Sequence, residues 1–267
     1  SEMCIRDRPN VALDDFRGVV DFRNNVIYNW GSNNTYGGEG GRFNMVANYY
    51  KPGPATPDKG TAAFITAYGR TPDLHNKEER VYYESPYPTL YMSGNVMEGN
   101  RAISRSNYDG VRYARTGGEK GELLDSPMPV NGLAEGHTTT HDAKRACALV
   151  LAWAGASHVR DAVDERIVRD VRTGTATVTD GGNGSTGGFV DTQRAVGGWP
   201  EYRQAAAPED SDGDGIPDVW ERQYGLDPAD AADGAKTDPA SGYTWLERYL
   251  NSLVGSIADR QNNREKP

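Results

Sequence analysis

The chain has no long apolar run, little cysteine and no surplus of positive charge. Its mean hydropathy is −0.73, and no segment approaches the roughly 20 apolar residues that cross a bilayer. No basic-then-apolar stretch reads as an export signal either. These features exclude a membrane span and predict a soluble protein. Cysteine occurs at Cys4 and Cys147 alone, too few for a disulfide framework or a thiolate metal site. Cys147 stands in an alanine-rich helical stretch and reads as a small core residue. Histidine is also scarce. His137 and His141 share a helical spacing, but Thr138 to Thr140 intervene without a glutamate, so a zinc motif is not indicated. His75 and His158 read as surface or turn residues.

Charge is also informative by its distribution. Acids outnumber bases 38 to 29, for a net charge of −9. Residues 209–247 hold eleven acids against Arg222 and Lys236, and the rest of the chain is nearly neutral. A basic footprint for nucleic acid and a polybasic membrane patch are both missing. The acidity therefore belongs to a C-terminal module.

What is present begins with a repeat. The stretches Val20 to Trp30, Asn44 to Pro54 and Leu90 to Asn100 share one pattern around Asn25, Asn48 and Asn95. Three residues before each asparagine stands a large apolar side chain (Phe22, Met45, Met92), and two bulky residues follow (Val26-Ile27, Tyr49-Tyr50, Val96-Met97). The separations are 23 and 47 residues, which predicts a third copy two periods beyond the second, with Phe64 to Tyr68 as an unmarked turn of the coil between. A repeat of this size indicates a solenoid. In a parallel coil, equivalent residues of successive rungs stack at roughly 4.8 Å. Stacked asparagines bond amide to amide there, each offering an acceptor and two donors. The fold class expected is mostly β: a right-handed parallel β-helix with covering helices and a small α-helical calcium-loop module.

The expected organisation follows. Residues 1–8 (SEMCIRDR) fit no repeat and read as a foreign leader, which would place any export signal on a missing part. Residues 9–180 form the coil and its helices, 181–207 a linker, 208–254 the acidic module and 255–267 a disordered tail. Ala143, Ala146, Cys147, Val150 and Ala154 fall at helical spacing, ending at Gly155. Val159, Val163, Ile167 and Val171 form a second stripe, with Asp161 and Asp164 in its first turn and Gly174 as its stop. Such helices cover the sheet or cap the coil's open edge, which would otherwise template aggregation. Gly181 to Gly188 has flexible-linker composition, and no Lys-Ser/Thr pair makes it a phosphate loop.

The most specific motif is Asp210-Ser-Asp212-Gly-Asp214-Gly215-Ile216-Pro-Asp218-Val-Trp-Glu221. Carboxylates occupy loop positions 1, 3, 5, 9 and 12, glycine sits at 6, and Ile216 at 7 offers its carbonyl, as in a calcium loop. The predicted metal ligands are Asp210, Asp212, Asp214, Ile216, Asp218 and Glu221, and the predicted cofactor is Ca2+. A second copy over Thr237 to Arg248 has decayed, with Pro239 and Ser241 where acids belong. Tyr224, Leu226, Trp245, Leu246, Tyr249, Leu250 and Leu253 are the expected core of the module. The loop resembles the thrombospondin type 3 and EF-hand-like loops appended to secreted bacterial enzymes. Millimolar extracellular calcium suits it, which supports export.

Further residues carry a family resemblance. Val20-Asp-Phe-Arg-Asn-Asn-Val-Ile-Tyr-Asn-Trp30, Tyr36-Gly-Gly-Glu-Gly-Gly-Arg42, Asn48-Tyr-Tyr-Lys-Pro-Gly-Pro54 and Ser93-Gly-Asn-Val-Met-Glu-Gly-Asn100 resemble pectate lyases of the first polysaccharide lyase family. So do Ala154-Gly-Ala156, Asp161-Ala-Val-Asp164, Asp170-Val-Arg-Thr-Gly174 and Gly181 to Trp199, which resemble the C-terminal halves of bacterial members. The resemblance covers nearly everything after residue 8. It implies a β-helix that splits polygalacturonate (pectin) by β-elimination, with calcium bridging enzyme carboxylates to the uronate and an arginine as base. An arginine base needs strong depression of its pKa. In the family that base stands in an Arg-x-Pro segment before the strand matching Val19 to Trp30. Pro9 matches the proline, but Asp7 occupies the arginine position and Ala12 that of a second arginine; Arg6 and Arg8 are out of register. No catalytic residue is assigned, and the family's calcium carboxylates lie further upstream. The expectation is a C-terminal piece of a secreted lyase, incomplete for catalysis and monomeric. Tyr36, Glu39 and Arg42 are the candidate sugar contacts, and Tyr49, Tyr50, Tyr82, Tyr83, Tyr87 and Tyr91 offer rings for stacking or rung packing. The competing readings are a non-catalytic carbohydrate-binding or cell-surface coil, and a β-helical hydrolase resting on Asp14-Asp15 alone.

Overall fold

The computed structural model describes residues 18–38, 40–69, 87–114, 120–130, 139–156, 158–202 and 205–262. The leader, Pro9, Asp14-Asp15, Glu39, His75, Tyr82, Tyr83 and His137 lie outside them. Two compact units are present: residues 1–154 with 163–199, and residues 155–162 with 200–267.

The first unit is a coil of three parallel sheets. The strands are β1 (Val19–Arg23), β2 (Val26–Tyr28), β3 (Tyr36–Gly37), β4 (Arg42–Val46), β5 (Tyr49–Lys51), β6 (Ile65–Tyr68), β7 (Thr89–Ser93), β8 (Val96–Met97) and β9 (Val111–Ala114). Every third strand pairs, giving the orders β1-β4-β7, β2-β5-β8 and β3-β6-β9, all parallel. Only a chain wound repeatedly around one axis yields that order, so the architecture is that of a parallel β-helix. Alternate residues point inward. Val20, Phe43 and Leu90 align across the first sheet, as do Phe22, Met45 and Met92. Ile27, Tyr50 and Met97 form the matching column of the second sheet. These side chains, with Trp30, Phe64, Ile65 and Ile103, make one core. Within it, the Tyr50 and Phe64 rings lie 5.0 Å apart and Trp30 meets Tyr50 edge-on at 6.4 Å. Of the tyrosines considered for sugar stacking, Tyr50 and Tyr87 are buried, and Tyr49 donates to Glu98 at 2.7 Å.

The asparagine column forms as expected. Asn25 Nδ2 donates to Asn48 Oδ1 at 3.0 Å, and Asn48 Nδ2 to Asn95 Oδ1 at 2.8 Å. The residue before each, Asn24, Ala47 and Gly94, has φ of 54°, 51° and 67°. A left-handed residue turns the chain sharply, and the asparagine side chain satisfies the amides that the turn exposes. One expectation fails. Asn95 lies one rung from Asn48, because β4 pairs directly with β7. The extra residues follow β6: Ile65–Tyr68 is a strand of the third sheet belonging to the same rung, with 70–86 after it, and it is not a separate unmarked turn of the coil.

Three helices accompany the coil. Helix α1 (Arg101–Arg105) is short and capped by Asn100. Helix α2 (Ala143–Trp153) starts at Asp142, whose carboxylate accepts the Lys144 and Arg145 amides. It packs on β2 and β5, so it covers the flank of the second sheet. Helix α3 (Ala162–Thr173) stops at Gly174, φ 72°; Val159, expected on its stripe, lies before it and is exposed. The stretch 181–188, of flexible-linker composition, is closed by the Gly181 amide on the Ser185 carbonyl and by Asp191 Oδ2, which accepts from Asn183 and Ser185, while Asn29 Nδ2 donates to the Gly187 carbonyl.

The second unit carries α4 (Asp218–Tyr224), α5 (Trp245–Leu253) and α6 (Gly255–Gln261). Helix α6 occupies most of the tail expected to be disordered: Ile257 and Ala258 donate back to the Val254 carbonyl, so the chain resumes helix after α5. Trp220, Tyr224, Trp245 and Tyr249 cluster ring to ring, and Ile216 is fully buried. Leu250 and Leu253, expected in this core, are half exposed.

Candidate metal centre

The acidic loop of residues 210–221 folds around its own carboxylates. Asp210 accepts the Gly213 and Gly215 amides at 2.8 and 3.1 Å. Asp212 Oδ1 accepts the Asp214 amide, and Asp214 Oδ1 accepts the Ile216 amide. Gly213 and Gly215 have φ of 75° and 96°, which lets consecutive amides turn toward one side. The ligand oxygens of Asp210, Asp212 and Asp214 lie within 4.8 Å of one another. A second triad, Asp214, Glu221 and Asp233, meets the same limit. Asp214 belongs to both. Oxygens held about 2.3–2.6 Å from one calcium sit up to roughly 5 Å apart across the ion, so the spacing fits the predicted cation.

Hydrogen bonding separates the carboxylates by role. Asp212 Oδ2, Asp214 Oδ2, Asp233 Oδ1 and both oxygens of Glu221 are buried without a partner. Burial and the neighbouring charges of Asp212 and Asp214 push the Glu221 carboxyl up to about 7. Buried anions without compensation are costly, so this donor set is suited to a hard cation. Asp218, predicted as the ninth-position ligand, is in neither triad. Its Oδ1 accepts the Ser211 amide at 2.7 Å, and its Oδ2 takes the Ser211 hydroxyl at 2.8 Å and Arg222 Nη2 at 2.9 Å. Asp233 went unrecognised in the sequence because it lies outside the loop motif.

The decayed copy is committed elsewhere. Asp238 accepts from the Ser241 amide and hydroxyl and pairs with Arg248 at 3.0 Å, and Glu247 closes a capping box on Thr244. Among the described residues no metal-sized cluster forms there.

The candidate sugar contacts are dispersed. Tyr36 is on β3, 48% exposed, with its ring 5.9 Å from that of Tyr68. Arg42 opens β4, in a different sheet, and Glu39 is outside the described residues. His141 is held by its backbone, which exchanges hydrogen bonds with the Asn24 side chain.

A coil of parallel strands carrying an acidic loop module defines the class. Comparison with known proteins is more specific. The chain is 33% identical over 244 residues to "Probable pectate lyase C" of Aspergillus flavus, covering 90% of this chain and 50% of that protein. The same values hold for the protein of that name from Aspergillus oryzae, and Emericella nidulans has one 33% identical over 239 residues, covering 89% of this chain and 48% of its own. The chain thus spans about half the length of the curated relatives it matches. These relatives are fungal and lend no support to a bacterial origin. No family model matches the chain.

Proposed function

We propose that this chain supplies β-helix rungs and a calcium-binding module to a secreted pectate lyase that cleaves polygalacturonate by β-elimination. The observation that carries the proposal is the extended similarity to pectate lyases, joined to a parallel coil with an asparagine column. Winding is right-handed in this reading, the sense that parallel strand connections adopt. Tyr36, Glu39 and Arg42 are its sugar contacts. Tyr36 is suited to the task, since an exposed ring braced by Tyr68 offers a face to a pyranose. Calcium supplies charge withdrawal from the uronate, which acidifies the C5 proton. The base and the carboxylates holding that ion are not assigned to this chain, so it is incomplete for catalysis alone. The module over 208–254 takes a second calcium through Asp210, Asp212, Asp214, Glu221 and the Ile216 carbonyl, and the protein acts as a monomer. No helix among the described residues is long and apolar enough to cross a membrane.

The test supplies polygalacturonate and calcium to the chain, and to the chain completed by the part of the A. flavus relative that it does not match. The completed protein is expected to release unsaturated, ultraviolet-absorbing oligosaccharides that chelator abolishes; the chain alone is not. Reducing ends without absorbance would establish a hydrolase. Retention of polygalacturonate with neither product would establish a binding coil.

A further inference from the structure

We propose that Asp233, outside the calcium loop, is a direct ligand of the module's cation, and that Asp218, the loop's ninth residue, is a clamp and not a ligand. The inference rests on the calcium reading of the loop. Three observations carry it. Asp233 is 5% exposed, its Oδ1 has no partner, and it meets Asp214 and Glu221 within 4.8 Å. Its other oxygen, Oδ2, accepts the Asp227 amide at 2.9 Å. This is the division of labour seen in Asp212 and Asp214, where one oxygen folds the backbone and the other is left for the centre. Glu221, in the same triad, is fully buried with both oxygens unpartnered. Asp218, although buried, has no unpartnered oxygen: Oδ1 accepts from the Ser211 amide, and Oδ2 from the Ser211 hydroxyl and Arg222.

Ligand number agrees. One oxygen each from Asp210, Asp212, Asp214 and Asp233, both from Glu221 and the Ile216 carbonyl fall within the roughly six to eight oxygens that calcium takes. Without Asp233 the set sits at the bottom of that range. Gly234 permits the approach: a Cβ there would overlap Asp214 Oδ2. The same turn anchors the start of α5, since the Leu246 amide donates to the Gly234 carbonyl and the Trp245 amide to the Lys236 carbonyl. A cation bound by Asp233 therefore fastens the loop, the 227–236 turn and the start of α5 together. Binding then becomes folding free energy for the whole module.

The experiment is calcium titration of the full chain by calorimetry, with Asp233→Asn and Asp218→Asn compared, and amide hydrogen exchange with and without calcium. Asp233→Asn is expected to weaken calcium on the order of tenfold or more, and Asp218→Asn to change it by less than about threefold while lowering thermal stability. Calcium should slow exchange at 227–236 in the unmodified chain, a readout that does not depend on either variant folding. Unchanged affinity in Asp233→Asn, or calcium protection confined to 210–221, would overturn the assignment while leaving the loop a calcium site. Absence of any calcium binding by the unmodified chain would overturn the calcium reading itself.

Discussion

Asn95 Nδ2 donates to Asn107 Oδ1 at 3.0 Å, although Asn107 belongs to a 3-10 turn and not to the repeat. Asn107 also accepts the Asn95 amide and returns hydrogen bonds to the carbonyls of Asn95 and Ile103. The column Asn25, Asn48, Asn95 thus ends on a residue that mimics the next rung, where no further strand of the second sheet is paired among the described residues. A ladder of amides that stopped at Asn95 would leave its buried donors unmet.

Replacing the middle of the column should be costly. Asn48 is fully buried and accepts from both the amide and the side chain of Asn25, and it donates to the Phe22 carbonyl. Asn48→Ala leaves those groups orphaned, at about 3 kcal/mol of unfolding free energy. Urea denaturation is the measurement. Asn48→Asp keeps the acceptor but buries a charge, so its deficit should shrink as pH falls and the carboxyl protonates.

Gly94 tests the turn before the column separately from the column. A Cβ there would lie 3.8 Å from the Ala47 Cβ, an ordinary contact, so space is available. The backbone at φ 67° is the obstacle. Gly94→Ala should therefore cost about 1–2 kcal/mol through left-handed strain alone. The reverse change, Ala47→Gly, relieves the same strain at φ 51° while losing a buried methyl, so its unfolding free energy should move by less.

These residues also show what was legible beforehand. The column was readable because asparagine and its apolar neighbours recur at each bend of the first two sheets. The third sheet carries no such marker: β3 is two residues long and β6 is buried on both faces, so nothing in its sequence alternates, and it passed as a turn. Asn107 escaped because its spacing from Asn95, 12 residues, breaks the repeat. In the acidic module, counting loop positions selects Asp210, Asp212, Asp214, Ile216, Asp218 and Glu221. A motif does not register that Ser211 and Arg222 donate to the Asp218 carboxylate. Nor does a motif register Asp233, which meets Asp214 from outside the loop beside the close approach of Gly234.

The start of α5 offers a local test. Thr244 Oγ1 accepts the Glu247 amide at 3.2 Å, and Glu247 Oε2 accepts the Thr244 amide at 2.8 Å. Both orphan donors of that helix end are met reciprocally. Thr244→Ala should destabilise the module by about 1 kcal/mol, and Glu247→Gln, which keeps an acceptor, by less. Thermal unfolding followed by tryptophan fluorescence reads this directly, since Trp245 is the first residue of the helix.

Acid sensitivity of the same unit follows from Asp238. The Ser241 hydroxyl, ahead of the Ala240 amide and the Arg248 guanidinium, holds its carboxyl below the ordinary value of 3.8 against the opposing effect of desolvation. A carboxylate whose folded pKa lies below its unfolded one stabilises the fold above the unfolded value, and that stabilisation is lost as pH falls through the folded value. Ser241→Ala removes the largest contribution. The variant should be less stable than the parent by a constant amount above about pH 5, with the difference narrowing as acid protonates Asp238 in both. The carboxylates of the 210–221 loop are common to the two proteins and cancel in the comparison. Urea midpoints measured from pH 7 downward check the sign, and a difference independent of pH would show that Ser241 acts by packing alone.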